Sequence, residues 1–239
     1  MTILTVVKDV SAVVGVQTPT SIFSNLAANR TMQEMLALAN EMAQRIAYNT
    51  RDWTRLRVVA THVGDGVVSP TEPFVMVGKT AFDLPVNYKR MLLTSSVWKT
   101  NSTQYPMVFV PDTDQWLNRR ARNQVDGFGE WTILGGQIHI YPILPTGHTA
   151  YYSYLDKNCI ALAGGGTSDR FLNDTDEFVL DERLLKLGMI WQWKANKGSP
   201  YAEDMGTYGD ALMLAMGTDA PAPILYGSSR GTGAGPWLS

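Results

Sequence analysis

The stretch LLKLGMIWQWKANKGSPYAEDM, Leu184 to Met205, decides the architecture. Leu184, Leu187, Gly188, Trp191 and Ala195 fall on one side of a helix, and Leu185, Met189 and Trp193 on the adjacent side. An apolar arc this wide predicts a helix sandwiched between neighbours. Lys194 and Lys197 stand where positive charge suits a helix C-terminus. Gly198 is placed to end the helix, Ser199 to cap the next one, and Pro200 to fill its favoured first position. Glu203 and Asp204 then lie in that first turn. The switch in charge therefore marks one helix ending and another starting, over Asp181–Asn196 and Tyr201–Met216. Trp191, Trp193, Gly198 and Pro200 read as parts of a structural hairpin, with the tryptophans as core or subunit-contact residues.

Two more helices precede this pair. Leu4, Val7, Val10 and Val14 form one stripe over Thr2–Val14, with Gly15 as the stop. Met32, Met35, Leu36, Ala39, Met42, Ala43, Ile46 and Trp53 form another from Thr31 to Trp53. Asn29 or Thr31 is the expected cap, with Glu34 as the capping-box partner of Thr31. Between the second and third long helices the period changes to that of strands. LRVVATHV, PFVMV, LLTSSVW, PMVFV, WTIL and QIHIY read as strands, and Gly135-Gly136 as a hairpin turn. ILPTGHTAYYSYL adds a turn and a strand through Tyr154. A short helix near Asp112–Arg122 interrupts the block, and residues 161–176 read as loop.

The expected fold is α+β: an antiparallel helical bundle of four main helices, a β-rich insertion, and an extended C-terminal tail. The expected divisions are 1–55 and 161–216 for the two halves of the bundle, 56–160 for the insertion and 217–239 for the tail. At 239 residues, 45% hydrophobic and 18% charged, the chain can bury a full core without staples. A lone cysteine, Cys159, excludes an intrachain disulfide framework and suits a reducing compartment. Lys8 and Asp9 interrupt the apolar start, so a secretory leader is not expected. No run of 18 apolar residues suggests a membrane span. The formal charge of −2 is not that of a protein that grips nucleic acid.

The search for chemistry yields no expected catalytic, metal or cofactor site. Gly227-Ser228-Ser229-Arg230-Gly231 matches a nucleophile-elbow pattern, and Gly231-Thr232-Gly233-Ala234-Gly235 is glycine-rich. Neither has the strand before it and helix after it that its chemistry requires. His62, His139 and His148 lack a completing ligand pattern. Asp174, Asp176, Glu177, Asp181 and Glu182 cluster before a helix, which suits capping. Asp176, Glu177 or Glu182 as the acid of a glycan hydrolase is the enzymatic alternative. Arg119, Arg120 and Arg122, with Lys89 and Arg90, are the best basic group, and the first three are candidate subunit-contact residues. Ile224, Leu225, Tyr226, Trp237 and Leu238 are apolar islands in a Gly/Pro-rich tail and are candidate partner anchors.

Five stretches, in order, resemble the adaptor (head-to-tail connector) proteins of tailed bacteriophages. They are TVVKDVSAVVGVQTPTSIF, MLALANEMAQRIAYNTRDWTRL, FDLPVNYKRML, WTILGGQIHIYPILPTGHTAYYSYL and DTDEFVLDERLLKLGMIWQWKANKGSPYAEDMGTYGDAL. The resemblance covers about Met1 to Met216 and includes no catalytic signature. It implies a homo-oligomeric ring, typically of twelve copies, in the virion neck, assembled in the host cytoplasm. The implied partners are the portal protein, tail tube or nozzle proteins, and passing double-stranded DNA, with no cofactor and no membrane. It also implies that the tail, through Ile224, Leu225, Tyr226, Trp237 and Leu238, docks on the portal or a neighbouring copy. A different neck or tail-completion ring is the second structural alternative.

Overall fold

The computed structural model describes residues 1–24, 26–72, 76–93, 95–100, 105–124 and 126–219. Four long helices are present: α1 (Ile3–Val14), α2 (Arg30–Asn49), α4 (Glu182–Asn196) and α5 (Ala202–Asp219), with a short α3 (Thr113–Ala121) between them. Helix α4 is the hub, and α1, α2 and α5 all pack against it. Its wide apolar arc buries Leu184, Leu185, Met189, Ile190, Trp191 and Trp193. Gly188 permits the close approach. A Cβ there would stand 2.4 Å from Met42 Cε on α2 and 3.3 Å from Tyr208 on α5.

Local chemistry explains the helix ends. Asn29 caps α2, its side chain accepting the Met32 N–H at 3.2 Å. Glu34 is not a capping-box partner; it pairs with Arg30 and Lys197. Helix α2 stops at Asn49 rather than at Trp53. Trp53 still reaches back to it, donating its indole N–H to the Ile46 carbonyl at 2.7 Å. Gly198 follows α4 at φ +69°. Ser199 N–H there bonds the Lys194 carbonyl and Gly198 N–H the Ala195 carbonyl, closing the end with a left-handed cap. Helix α5 begins at Ala202, so Pro200 lies in the connection instead of at the first helical position.

The picture of a four-helix bundle carrying one β-rich insertion is corrected. The described residues form an α+β structure of five helices and thirteen short strands in four sheets, with two cores. The first sheet centres on β10 (Thr149–Asp156). On one side lies β1 (Arg57–Val63), and on the other β5 (Tyr88–Met91) and β6 (Trp98–Lys99). The second runs in the order β4 (Ala81–Asp83), β9 (Gln137–Tyr141), β8 (Glu130–Leu134), β7 (Val108–Phe109). Gly135 and Gly136 turn between β8 and β9 at φ +59° and +79°, a conformation that favours glycine. The hairpin of β2 (Val67–Val68) and β3 (Met76–Val77) forms a third sheet.

The fourth sheet overturns the loop reading of residues 161–176. It joins β11 (Ile160–Ala161), β12 (Thr167–Ser168) and β13 (Glu177–Phe178), and its Ile160 and Phe178 belong to the helical core. Helices and strands are therefore not segregated at residue 160. The second core lies between the first two sheets and contains Phe82, Ile138, Ile140, Ala150, Tyr152 and Tyr154. Strand β10 ties the cores together. Tyr154 packs in the second, and its neighbour Leu155, on the opposite face of the strand, packs in the first.

Candidate functional site

The acidic run folds into a compact bonding centre. Asp176 is fully buried and accepts the N–H groups of Leu172 and Asn173, each at 2.7 Å, and that of Ala163 at 3.3 Å. Its own carbonyl accepts the Ile3 N–H at 2.8 Å, so the loop also holds the start of α1. Asp174 accepts the Ile22 N–H at 2.8 Å and the Ser21 hydroxyl. Asp181 caps α4 through the Arg183 N–H at 2.8 Å. Glu177 and Glu182 face the Met1 amine. They also line an open cleft of about 1050 Å³, with Trp53, Arg55, Phe178 and Lys186 among the other walls. Asp176 lies outside that lining. A carboxylate whose oxygens are taken by backbone donors and whose surface is closed to solvent has no route to a sugar oxygen.

The arginine group is likewise internal. Glu130 is buried on β8, and Arg119 and Arg120 both ion-pair with it. The Arg120 guanidinium also sits 3.7 Å from the Tyr141 ring centre and 4.5 Å from that of Trp116. Burial pulls its pKa below the usual arginine value, while the Glu130 charge acts the other way. Thus Arg119 and Arg120 bolt α3 to the second sheet, and Arg122, exposed beyond the helix, is left on the surface. The sequence brought these three together; the structure separates them.

Trp191 and Trp193 are buried in the α4–α5 hairpin. Arg45 stacks over Trp191 at 5.4 Å, and Tyr208 and Tyr201 pack beside it. His62 stacks on Phe82 at 5.1 Å and meets the Tyr152 hydroxyl at 3.3 Å. Burial, and then Lys79, pushes its pKa below the ordinary histidine value. His139 makes an edge contact with Trp116 and is not gathered with His62 into a ligand set. Among the described residues no group of three or more His, Cys, Asp or Glu side chains is arranged to hold a metal ion, and no helix is long and apolar enough to cross a membrane. Ile224, Leu225, Tyr226, Trp237 and Leu238 lie outside the described residues, as do the two glycine-rich motifs after Tyr226.

Two apolar surfaces escaped the sequence reading. One is on α5, where Met205, Met213 and Leu214 are exposed on a helix that turns Tyr208 to α4. Gly206, Gly209 and Gly217 on the same helix have open space where a Cβ would stand. The other is the outer face of the first sheet, with Val59 and Val63 of β1 beside Tyr151 and Trp98. The adjacent Val58-Val59 pair blurs the alternation that would have marked this face. No protein-family model matches the chain, and no curated protein matches it.

Proposed function

We propose that the chain is a structural head-to-tail adaptor of a tailed bacteriophage, located in the virion neck. In this reading it forms a homo-oligomeric ring, of twelve copies as the resemblance implies, that joins the portal to the tail and surrounds part of the DNA channel. The observation that carries the reading beyond the resemblance is the solvent-facing side of α5. Met205, Met213 and Leu214 are 46%, 66% and 64% exposed. Met213 and Leu214 stand on the side of α5 turned away from Tyr208, and their exposure adds nothing to the packing on α4 in the single chain. A ring can use them, because head-to-tail contacts take a different patch on each flank of the subunit. The net charge of −2 is consistent with a channel that lets DNA pass, since each phosphate contact would add affinity and drag. The hydrolase alternative loses Asp176 to three backbone donors and is left with Glu177 and Glu182, which line the open cleft beside the Met1 amine.

Imaging the purified chain and counting its rotational symmetry tests this reading, with portal co-sedimentation as the second arm. Rings that bind portal are expected, and Met213→Glu should dissociate them. A chain that stays monomeric with and without portal would overturn the proposal. So would co-purification with tail-tube protein alone, or release of peptidoglycan fragments that Glu177→Gln or Glu182→Gln abolishes in a folded variant.

A further inference from the structure

The open cleft of about 1050 Å³ reaches the edge of the helical core, because Val6, Trp53, Phe178 and Leu180 line it and all four belong to that core. Most of its charged side chains are already engaged. Lys186 pairs with Asp9 at 3.0 Å, and Glu177 and Glu182 face the Met1 amine. Asp181 caps α4, and Arg55 donates to the Val179 carbonyl at 3.2 Å. A charged ligand would have to break into these pairs and would be desolvated in doing so. An uncharged, apolar occupant leaves them intact and gains the core edge.

The chain is fastened to this cleft where α5 ends. Ala215, Thr218 and Asp219 are part of its lining. The Asp219 carboxylate accepts the Thr54 N–H at 3.0 Å, and its carbonyl accepts the Thr54 hydroxyl at 3.1 Å. Arg51 pairs with the same carboxylate at 3.7 Å. The chain therefore leaves α5 from a fixed point on the cleft wall. The sequence that follows, residues 220–229, is APAPILYGSS and is uncharged. Ala220 and Ala222 each precede a proline, which disfavours further helix and favours an extended chain.

We propose that the cleft takes the segment that follows Asp219 in the same chain, with Ile224, Leu225 and Tyr226 as its apolar occupants. Reach, charge and tethering select this occupant. An extended segment rises about 3.1 Å per residue, so Ile224 comes within about 15 Å of Asp219. The segment brings no charge to disturb the paired side chains of the lining. Its two prolines reduce the entropy lost on ordering. A link of a few residues gives an effective concentration on the order of millimolar, which favours the chain's own cleft over that of a separate molecule. Trp237 and Leu238, further along the sequence, remain for the portal or a neighbouring copy. The proposal does not rest on the ring reading, since a lone chain would make the same contact.

Cross-linking in the full chain by a short bismaleimide tests the assignment. Leu225→Cys is combined in turn with Arg183→Cys, on the cleft, and with Asp210→Cys, which is exposed on α5 beside Met213 and Leu214 and outside the cleft lining. Asp210 lies about 14 Å back along the helix, and an extended link of six residues spans about 19 Å, so an untethered segment reaches it too. The native Cys159 is buried and serves as the background. The Arg183→Cys pair should link within one chain, at a rate unchanged on dilution and at least about fivefold above that of the Asp210→Cys pair. Adding Ile224→Asp and Tyr226→Asp should remove that preference, with an unchanged circular dichroism spectrum confirming the fold. Equal rates for the two pairs would overturn the proposal. So would a preference for Asp210→Cys, which would seat the segment on α5, or a dimer-sized product lost on dilution, which would seat it on another copy.

Discussion

Replacing Asp176 separates a structural carboxylate from a catalytic one. In Asp176→Ala the N–H groups of Leu172 and Asn173 lose acceptors at 2.7 Å, and that of Ala163 loses one at 3.3 Å. Hydrogen bonds to a charged acceptor contribute about 1.5–3 kcal/mol each, and a buried donor left alone also retains its desolvation cost. Counting the two short bonds at about 2 kcal/mol each and neglecting the long one, the loss is about 4 kcal/mol. For a chain of this size that lowers the melting temperature by roughly 8–16 °C. Asp176→Asn keeps one oxygen for Leu172 and Asn173 but weakens both bonds, and its amide turns a donor toward the Ala163 N–H. Its cost is about 2–3 kcal/mol. Urea titration followed by tryptophan fluorescence reads both variants, since Trp53, Trp191 and Trp193 lie in the core this loop closes. An alanine variant within about 0.5 kcal/mol of wild type would refute the reasoning, because a surface substitution does no more than that.

Glu130→Ala should destabilise the second core by about 3 kcal/mol. That is the low end for a broken buried pair, because Arg119 and Arg120 keep 31% and 19% of their side chains in water; a urea midpoint unchanged from wild type would contradict it. His62 should make stability fall as the solution is acidified below the ordinary histidine pKa. Its folded-state pKa is depressed by burial, so the unfolded chain binds the proton more readily and stability is highest above the unfolded value. Unfolding midpoints at pH 7.5 and 5.5 measure that slope, and His62→Phe should flatten it.

What the sequence made legible was local. The stripes of α1, α2 and α4, the caps Asn29 and Asp181, the Gly135-Gly136 turn and the Gly198 stop all follow from residues within a turn or two of one another. What it concealed was long-range. Strands β11, β12 and β13 are two residues each, too short to carry a period, and they exist because Ile160 pairs with both Ser168 and Phe178. Trp53 sits seven residues after Ile46, which mimics two further helical turns; the chain leaves the helix at Asn49, and the indole returns to bond Ile46 instead. Three arginines near a helix end resemble a surface patch. Their partner, Glu130, arrives on a strand beyond the turn, and nothing in the helix announces it.

The same distinction separates what the single chain uses from what it does not. Helix α4 was the natural candidate for a subunit contact because it is apolar over a wide arc, yet α1, α2 and α5 consume that arc within one chain. Helix α5 has the weaker sequence pattern and retains the exposed methionines and Leu214. Its glycines reinforce the point. Gly206, Gly209 and Gly217 touch nothing where a Cβ would be, and each costs a helix interior about 1 kcal/mol relative to alanine. Gly188 carries the same cost, but there a Cβ would strike Met42, so the fold itself accounts for it. Among the described residues no internal packing accounts for the α5 glycines. In the proposed ring, a neighbouring subunit would cover the exposed Met213 and Leu214 of this helix.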